Sequence, residues 1–440
     1  MKYQSPKGTR DFTPEEMILR EFVMSRIKKV FESYGFDSIE TSVFEDLEVL
    51  NAKSGEEVSK QIFKIETEKD RKLGLRFDLT VPMARFLANN PQLPKPFKRY
   101  AIAPVWRYEE PQAGRMRQFY QADIDICGSS SMEADVECIA CALDCLKILG
   151  FKNLRVRLND RKVLEGFIEF IKKKIPAEVK IEFSDLPIFR AIDKLGKIGI
   201  DGVRKELEKI GLRPRQIEEL LKIIKVKGTF PEGLERLKKL LQGISVGMDG
   251  LKELEQIFEL SKFYGISSLL VPDFSMARGL DYYTGPIFEI EVESEKKIGS
   301  IAGGGRYDNL IELLGGRFTP ATGISLGIER VIEIMKEEKM VDLAKTRVKV
   351  FVANVNEKVK PDAVKIAQDL RKVGINCQVD LMGRNLSKQL QFVDEMKIPF
   401  ALILGEREIK SKKFKLRDME NKKELELSLE EIIKKLKESH

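Results

Sequence analysis

The sequence predicts a multidomain α+β protein: strand pairs flanked by helices, a helical insertion, further strands, and a separate small α/β domain at the C-terminal end. Three observations carry this reading. At 440 residues the chain exceeds what one hydrophobic core organises, since single cores stop growing at about 250–300 residues. Residues 202–262 are rich in lysine and glutamate, with leucine and isoleucine recurring at helical spacing, and differ in kind from what flanks them. From Val348 onward, apolar runs alternate with amphipathic stretches, the pattern of an α/β unit.

Taken in order, residues 14–34 place Met17, Phe22, Ile27, Val30 and Phe31 near helical spacing, with Gly35 as the stop. Segments 98–109 and 117–127 read as two strands joined by a polar turn holding Pro111 and Gly114. Strand character returns at 269–272 and 286–293. The run Ala302-Gly303-Gly304-Gly305-Arg306 reads by itself as a turn whose backbone a ligand can approach closely. A strand-to-helix pattern follows at 322–336, and KEEKMVDLAKTR has the charge of a linker. Beyond it come a strand from Val348, a helix at 361–372, the strand INCQVDL, a helix at 386–396, the strand FALILG, a charged hairpin-like segment and a terminal helix. The expected divisions are 1–170 and 263–336 for the two parts of the main domain, 171–262 for the insertion, 337–347 for the linker and 348–440 for the final domain.

Composition excludes several chemistries. No stretch of about 18 apolar residues is present to cross a bilayer, and MKYQSPKGTR is too polar for a signal peptide, so the expectation is a soluble, cytoplasmic protein with no membrane contact. Three of the five cysteines, Cys138, Cys141 and Cys145, lie at helical spacing in an apolar run, which points to core packing rather than a metal site. The single histidine is His440, so histidine triads, histidine metal sites and imidazole acid–base catalysis are excluded together. The formal net charge is +7. Its excess sits in the middle and last segments, which suits contact with a polyanion such as RNA; a lysine-rich solvated surface accounts for it equally well.

Strand periodicity turns 98–127 into a specific proposal. Phe119, Gln121, Asp123 and Asp125 share one face, and Tyr120, Ala122, Ile124 and Ile126 the other. Arg107 and Glu109 share a face of the partner strand, and Arg115 and Arg117 in the turn suit bidentate phosphate contact. In Leu75-Arg76-Phe77-Asp78-Leu79-Thr80 the alternation sets Arg76, Asp78 and Thr80 on one side. The segment 277–285 packs Arg278, Asp281, Tyr282 and Tyr283 between glycines. Neither the GxxxxGK[ST] loop nor the GxGxxG fingerprint is present.

In this order the segments resemble the class II aminoacyl-tRNA synthetases, and specifically the histidyl-tRNA synthetases, across nearly the whole chain. Arg107-Tyr-Glu-Glu-Pro-Gln-Ala-Gly-Arg-Met-Arg-Gln-Phe-Tyr-Gln121 resembles motif 2, Gly323-Ile-Ser-Leu-Gly-Ile-Glu-Arg330 resembles motif 3, and residues 34–44 stand in the place of motif 1. Arg278-Gly-Leu-Asp-Tyr-Tyr283 and Gly304-Gly-Arg-Tyr-Asp308 are similar to the two signatures specific to histidine. The resemblance implies an antiparallel catalytic sheet flanked by helices, a helical insertion, a C-terminal anticodon-binding domain and a homodimer. It also implies the reaction. L-histidine and ATP, with Mg2+, give histidyl-adenylate and pyrophosphate, and histidine then passes to the 3′ end of tRNA(His), releasing AMP. By the same resemblance Arg107 would hold the α-phosphate, Glu109 the adenine amino group and Arg115 the γ-phosphate, with Phe119 and Arg330 sandwiching the adenine. Asp78, Thr80 and Gln121 would hold the ammonium and carboxylate of histidine, Asp125 and Tyr283 would read its ring, and Tyr282 and Gly304 would complete that pocket. Arg278 would sit at the reacting carboxylate and α-phosphate, and Gln112 would touch the tRNA acceptor end. No protein metal ligand is implied.

The chain departs from the family pattern at Ser42, where motif 1 usually has proline, and at Glu110 and Tyr120, which replace an arginine and a histidine common in bacterial relatives. The latter pair fits an archaeal or eukaryote-like subgroup. Two non-charging readings remain on the same resemblance: a histidine-binding regulatory subunit of a phosphoribosyltransferase and a tRNA-binding sensor module. Regulatory paralogues typically lack the C-terminal domain and lose catalytic arginines, and a sensor would tolerate a degraded ATP pocket; this sequence keeps the domain together with Arg107, Arg278 and Arg330.

Overall fold

The computed structural model describes residues 3–52, 56–67, 71–111, 116–173, 185–226, 228–277, 282–293, 299–341 and 344–438. By internal contacts the chain divides into two units, Met1–Arg10 with Val23–Met340, and Asp11–Phe22 with Val341–His440. In chain order the strands of the first unit are β1 (Asp37–Ser38), β2 (Phe44–Asp46), β3 (Lys64–Ile65), β4 (Leu73–Leu75), β5 (Phe97–Trp106), β6 (Gln118–Cys127), β7 (Leu154–Asp160), β8 (Leu270–Pro272), β9 (Pro286–Val292), β10 (Ser300–Arg306) and β11 (Ala321–Gly327). Eight of them form one sheet in the order β1-β5-β6-β11-β10-β9-β7-β8, and β2, β4 and β3 form a small second sheet. Pairing is antiparallel from β5 through to β7; only the edge strands β1 and β8 join in parallel.

The helix Met132–Ile148 packs against β6 and β11. Its Cys138, Cys141 and Cys145 are fully buried, as are Ala122 and Ile124 of β6 and Leu326 of β11, so the cysteines serve as small core residues. The N-terminal helix runs Pro14–Ser33, and Gly35 ends it at a φ of 75°. Its buried stripe is Leu19, Val23, Ile27, Val30 and Phe31, so Ile27, Val30 and Phe31 of the expected face are buried, whereas Phe22 is exposed; the i, i+4 row through Leu19 set the face, and the spacing through Met17 and Phe22 did not. Helices at Leu195–Ile210, Pro214–Ile224, Phe230–Leu240 and Ser245–Phe263 occupy the stretch read as a helical insertion.

The second unit has a five-stranded sheet of β12 (Val350–Asn354), β13 (Cys377–Val379), β14 (Phe400–Leu404), β15 (Phe414–Asp418) and β16 (Lys423–Leu427), in the order β13-β12-β14-β15-β16. Helices Lys360–Lys372 and Leu429–Glu438 bury Ala367, Leu370, Ile432 and Leu436 with Val350, Val352, Leu402 and Leu404 in one core.

The glycine triplet is not a turn. It is the middle of β10, paired on both sides with β9 and β11. A Cβ on Gly304 would fall on the carbonyl oxygen of Gly323 and within 2.7 Å of Ile324 Cα, both backbone atoms that cannot swing aside, whereas a Cβ on Gly303 meets nothing closer than 3.7 Å. Gly304→Ala is therefore expected to lower stability by about 3 kcal/mol or more and Gly303→Ala by less than about 1 kcal/mol, measured as thermal and denaturant unfolding of the two variants side by side.

Candidate active site

The cross-strand register builds the floor of a cleft. One row of paired positions runs Arg99, Asp125, Gly323, Gly305, Ile287, Asn159, and the next runs Ala101, Asp123, Ser325, Gly303, Glu289, Arg157. Paired residues project on the same side of a sheet. Glycine and serine in the centre leave space there, and acidic side chains stand on either side of it. The resulting cleft has a volume of about 450 Å³.

Asp78, Thr80, Arg107, Glu109, Phe119, Gln121, Asp125, Tyr282, Tyr283, Gly304 and Arg330 all line this one cleft. Arg115, Gln112 and Arg278 lie outside the described residues. Asp78 precedes the helix Thr80–Ala88 and accepts the N–H groups of Thr80 and Val81 at 3.1 and 2.9 Å, which fixes its carboxylate at the helix N-terminus. Arg107 lies just past the end of β5; its Nε donates to the Phe77 carbonyl at 3.2 Å, and its guanidinium stands 4.4 Å from the Phe77 ring centre and 5.0 Å from that of Phe119. Gln121 donates to Ser325 Oγ at 2.5 Å. Glu329 accepts the Tyr120 N–H at 2.9 Å, and Arg330 donates to the Ser300 carbonyl.

The loop bearing Tyr282 and Tyr283 is tied to the end of β10. Thr284 N–H donates to the Arg306 carbonyl at 2.8 Å, and Asp308 N–H donates to Thr284 Oγ1 at 3.0 Å. Arg306 is almost fully buried, donating to the Ser129 and Ser131 carbonyls at 3.0 Å each and pairing with Asp135 and Asp308. The three rings Tyr282, Tyr283 and Tyr307 then meet edge to face, with Tyr282 5.2 Å from Tyr283 and 5.6 Å from Tyr307.

Burial dominates the electrostatics. It raises the carboxyl groups of Asp78 and Asp125, against the opposing pull of the Val81 N–H and Arg107 on the first and of Arg99 and the Tyr307 hydroxyl on the second. Asp123 is pushed up to about 7, first by burial and then by Asp125 and Asp78, with Arg99 and Ser325 opposing. Burial also lowers the Arg107 guanidinium.

Two arginines read as site residues are structural. Arg76 is not among the residues lining the cleft; it is 2% exposed and donates to the Pro104 and Thr41 carbonyls at 2.9 and 3.0 Å. β4 ends at Leu75, so the alternation read through Thr80 breaks where the helix begins. Arg117 is turned to its own surroundings, donating to the Glu109 carbonyl at 2.9 Å with its guanidinium 4.2 Å from the Tyr108 ring centre. In the other direction, sequence reasoning missed Arg99, Ser325 and Glu289. Alternation in PIFEIEV pairs Glu289 with Glu291, yet nothing in those residues says which face meets the cleft.

A largely antiparallel sheet that holds arginines, carboxylates, an amide and aromatic rings on one hollow face, with motifs 2 and 3 on adjacent strands, defines a class II aminoacyl-tRNA synthetase catalytic domain. The family model described as histidyl-tRNA synthetase matches residues 8–331, and that described as anticodon binding domain matches residues 349–439. The chain is 43% identical to a histidine–tRNA ligase of Aeropyrum pernix over 92% of this chain and 90% of the relative, and 41% identical to one of Korarchaeum cryptofilum over 98% of each. The crystal structure of histidyl-tRNA synthetase from Nostoc sp. PCC 7120 superposes with a TM-score of 0.85 at 31% identity, covering 99% of each chain. The chain belongs to the histidyl-tRNA synthetase family, whose reaction joins histidine to tRNA with ATP as substrate. None of its described helices is long and apolar enough to cross a membrane.

The Asp123 carboxyl supplies a pH test of the site. Its pKa in the fold, about 7, lies above the ordinary 3.8, so its contribution to stability is full below about pH 4 and is lost as pH rises towards 7. Asp123→Asn has no such loss. Its melting temperature relative to the parent is expected to rise by roughly 2–5 °C between pH 5 and pH 8, measured by calorimetry in matched buffers.

Proposed function

We propose that this cleft activates L-histidine and that the residues gathered in it divide the work as follows. Asp78 and Thr80 hold the substrate ammonium, Gln121 its carboxylate, and Asp125 with Tyr283 its ring, with Tyr282 and Gly304 closing the pocket. Phe119 and Arg330 take the adenine between them, Glu109 accepts from its amino group, and Arg107 binds the α-phosphate. The observation that carries this is the convergence of Arg107, Gln121 with Asp125, and Tyr283, from three separate segments, on one cleft. Arg278 at the reacting carboxylate, Arg115 at the γ-phosphate and Gln112 at the tRNA end complete the proposal from sequence alone.

The chemistry suits a site without histidine. The substrate carboxylate is itself the nucleophile; it attacks the α-phosphorus, pyrophosphate leaves, and the step requires no proton transfer. What it requires is alignment and neutralisation of the charge that builds on the α-phosphate, for which Arg107 is preorganised by the Phe77 carbonyl and the flanking rings. The terminal ribose hydroxyl of tRNA(His) then attacks the activated carbonyl, the acyl–phosphate bond breaks and AMP leaves, with the hydroxyl proton passing to a phosphate oxygen of the adenylate. Among the described residues no three acidic, cysteine or histidine side chains form a metal cage. A Mg2+ ion, carried mainly by ATP phosphates and water, would neutralise phosphate charge there. The proposal includes a homodimer, cytoplasmic location, and the domain divisions 1–170 and 263–336 (catalytic), 171–262 (insertion), 337–347 (linker) and 348–440 (anticodon binding).

The test is ATP–pyrophosphate exchange with each of the twenty amino acids. Exchange is expected with histidine alone, and Arg107→Ala is expected to lower kcat about 100-fold or more. Histidine binding without any exchange in the parent protein overturns the assignment.

A further inference from the structure

Arg99 is fully buried and stands opposite Asp125 across the β5–β6 pair. Its guanidinium lies 2.5 Å from Asp125 Oδ2, and the same nitrogen donates to the Leu79 carbonyl at 3.1 Å. The other carboxylate oxygen, Oδ1, accepts the Tyr307 hydroxyl. Nε and Nη1 of Arg99 have no hydrogen-bond partner among the described residues.

As a stabilising device this is poor. A buried ion pair seldom outperforms apolar residues of the same volume, and N–H groups left unsatisfied add to its cost. Its position suggests another use. Arg99 does not line the cleft, whereas Asp125 does, so the arginine reaches the ligand pocket only through the carboxylate. Oδ1 is held by the Tyr307 hydroxyl, and the guanidinium lies against Oδ2, which has no hydrogen bond of its own among the described residues, so the carboxylate stands with a cation at its back.

We infer that Arg99 is a specificity-positioning residue: by pairing with Asp125 it favours the acceptor-only form of that carboxylate and holds its direction, so that the pocket takes a ring N–H of histidine. This rests on the reading of Asp125 as the residue that meets the ring. Without Arg99 the carboxylate would be free to take up a proton and present an O–H donor, or to turn toward Tyr307. Either change weakens recognition of the ring while leaving the ATP end of the cleft intact.

The experiment is steady-state ATP–pyrophosphate exchange with Arg99→Met, Arg99→Lys and Asp125→Asn. Arg99→Met is expected to raise the KM for histidine about tenfold or more, with the KM for ATP unchanged within about threefold. Arg99→Lys, which keeps the charge without the planar fork, is expected to fall between it and the parent, and it carries the test alone if Arg99→Met does not fold. Asp125→Asn is expected to match or exceed Arg99→Met in its effect on histidine KM. A histidine KM unchanged in the folded Arg99 variants but raised in Asp125→Asn overturns the role of Arg99 and leaves the reading of Asp125 standing. An unchanged KM in Asp125→Asn overturns both. Equal rises for histidine and ATP also overturn the inference, since they mark a general loss of structure.

Discussion

The close approach of β6, β11 and β10 is the constraint on which the rest of the site depends. Gly304 and Gly323 let the middle strands come together where any side chain would strike backbone, and that spacing fixes the register of the rows that cross them. Because side chains alternate across a strand, a slip of one residue would turn Gln121, Asp123 and Asp125 into the apolar core and bring Ala122, Ile124 and Ile126 to the cleft. The helix Met132–Ile148 opposes such a slip, because its buried cysteines and leucines have no partners on a polar face. Core packing and site geometry are thus two consequences of one pairing.

The second determinant is charge without imidazole. Every ionic role in the cleft falls to arginine or a carboxylate, and burial makes each one costly unless it is paired or hydrogen-bonded. The structure meets that cost locally. Asp78 takes two backbone N–H groups, Asp125 takes Arg99 and Tyr307, and Arg157 pairs with Glu289 at 3.2 Å and with Asp273 at 2.7 Å. These contacts also fix the side chains before a ligand arrives, so that little reorganisation remains for the reaction itself.

Much of this was legible in the sequence because period and chemistry coincided. In QFYQADIDIC the polar and apolar residues alternate from Gln121 to Ile126, so the face of the cleft could be read directly from β6. The helical stretch before Leu270 and the alternation after Val348 were equally plain, since each extends over several turns or strands. The errors arose where a local pattern continued past the end of its element. Arg76 looked like a partner of Asp78 until the chain bent into the helix at Thr80, and the glycine triplet looked like a turn because nothing local says that strands will flank it on both sides. Arg99 was invisible for a different reason. Its function depends on the residue paired with it in register, and register is a property of two strands together.

With His440 as the only histidine in the chain, the substrate brings the only imidazole into the cleft, and this simplifies its proton balance. On the proposed reading, Asp78 and Asp125 face Arg99 and Arg107 at the amino-acid end, two acidic groups against two basic ones. Asp123 is the exception. With its carboxyl near 7, it titrates close to the ordinary imidazole value of about 6.5, and losing its proton adds one negative charge to the same floor. An uncharged Asp123 suits the neutral ring, and an ionised one offsets a charged ring. Both groups lose their protons as pH rises, so charge stays balanced only where one proton is shared between them, on Asp123 beside a neutral ring or on the ring beside an ionised Asp123, and a histidine of the protein, neutral when deprotonated, could not supply that negative partner.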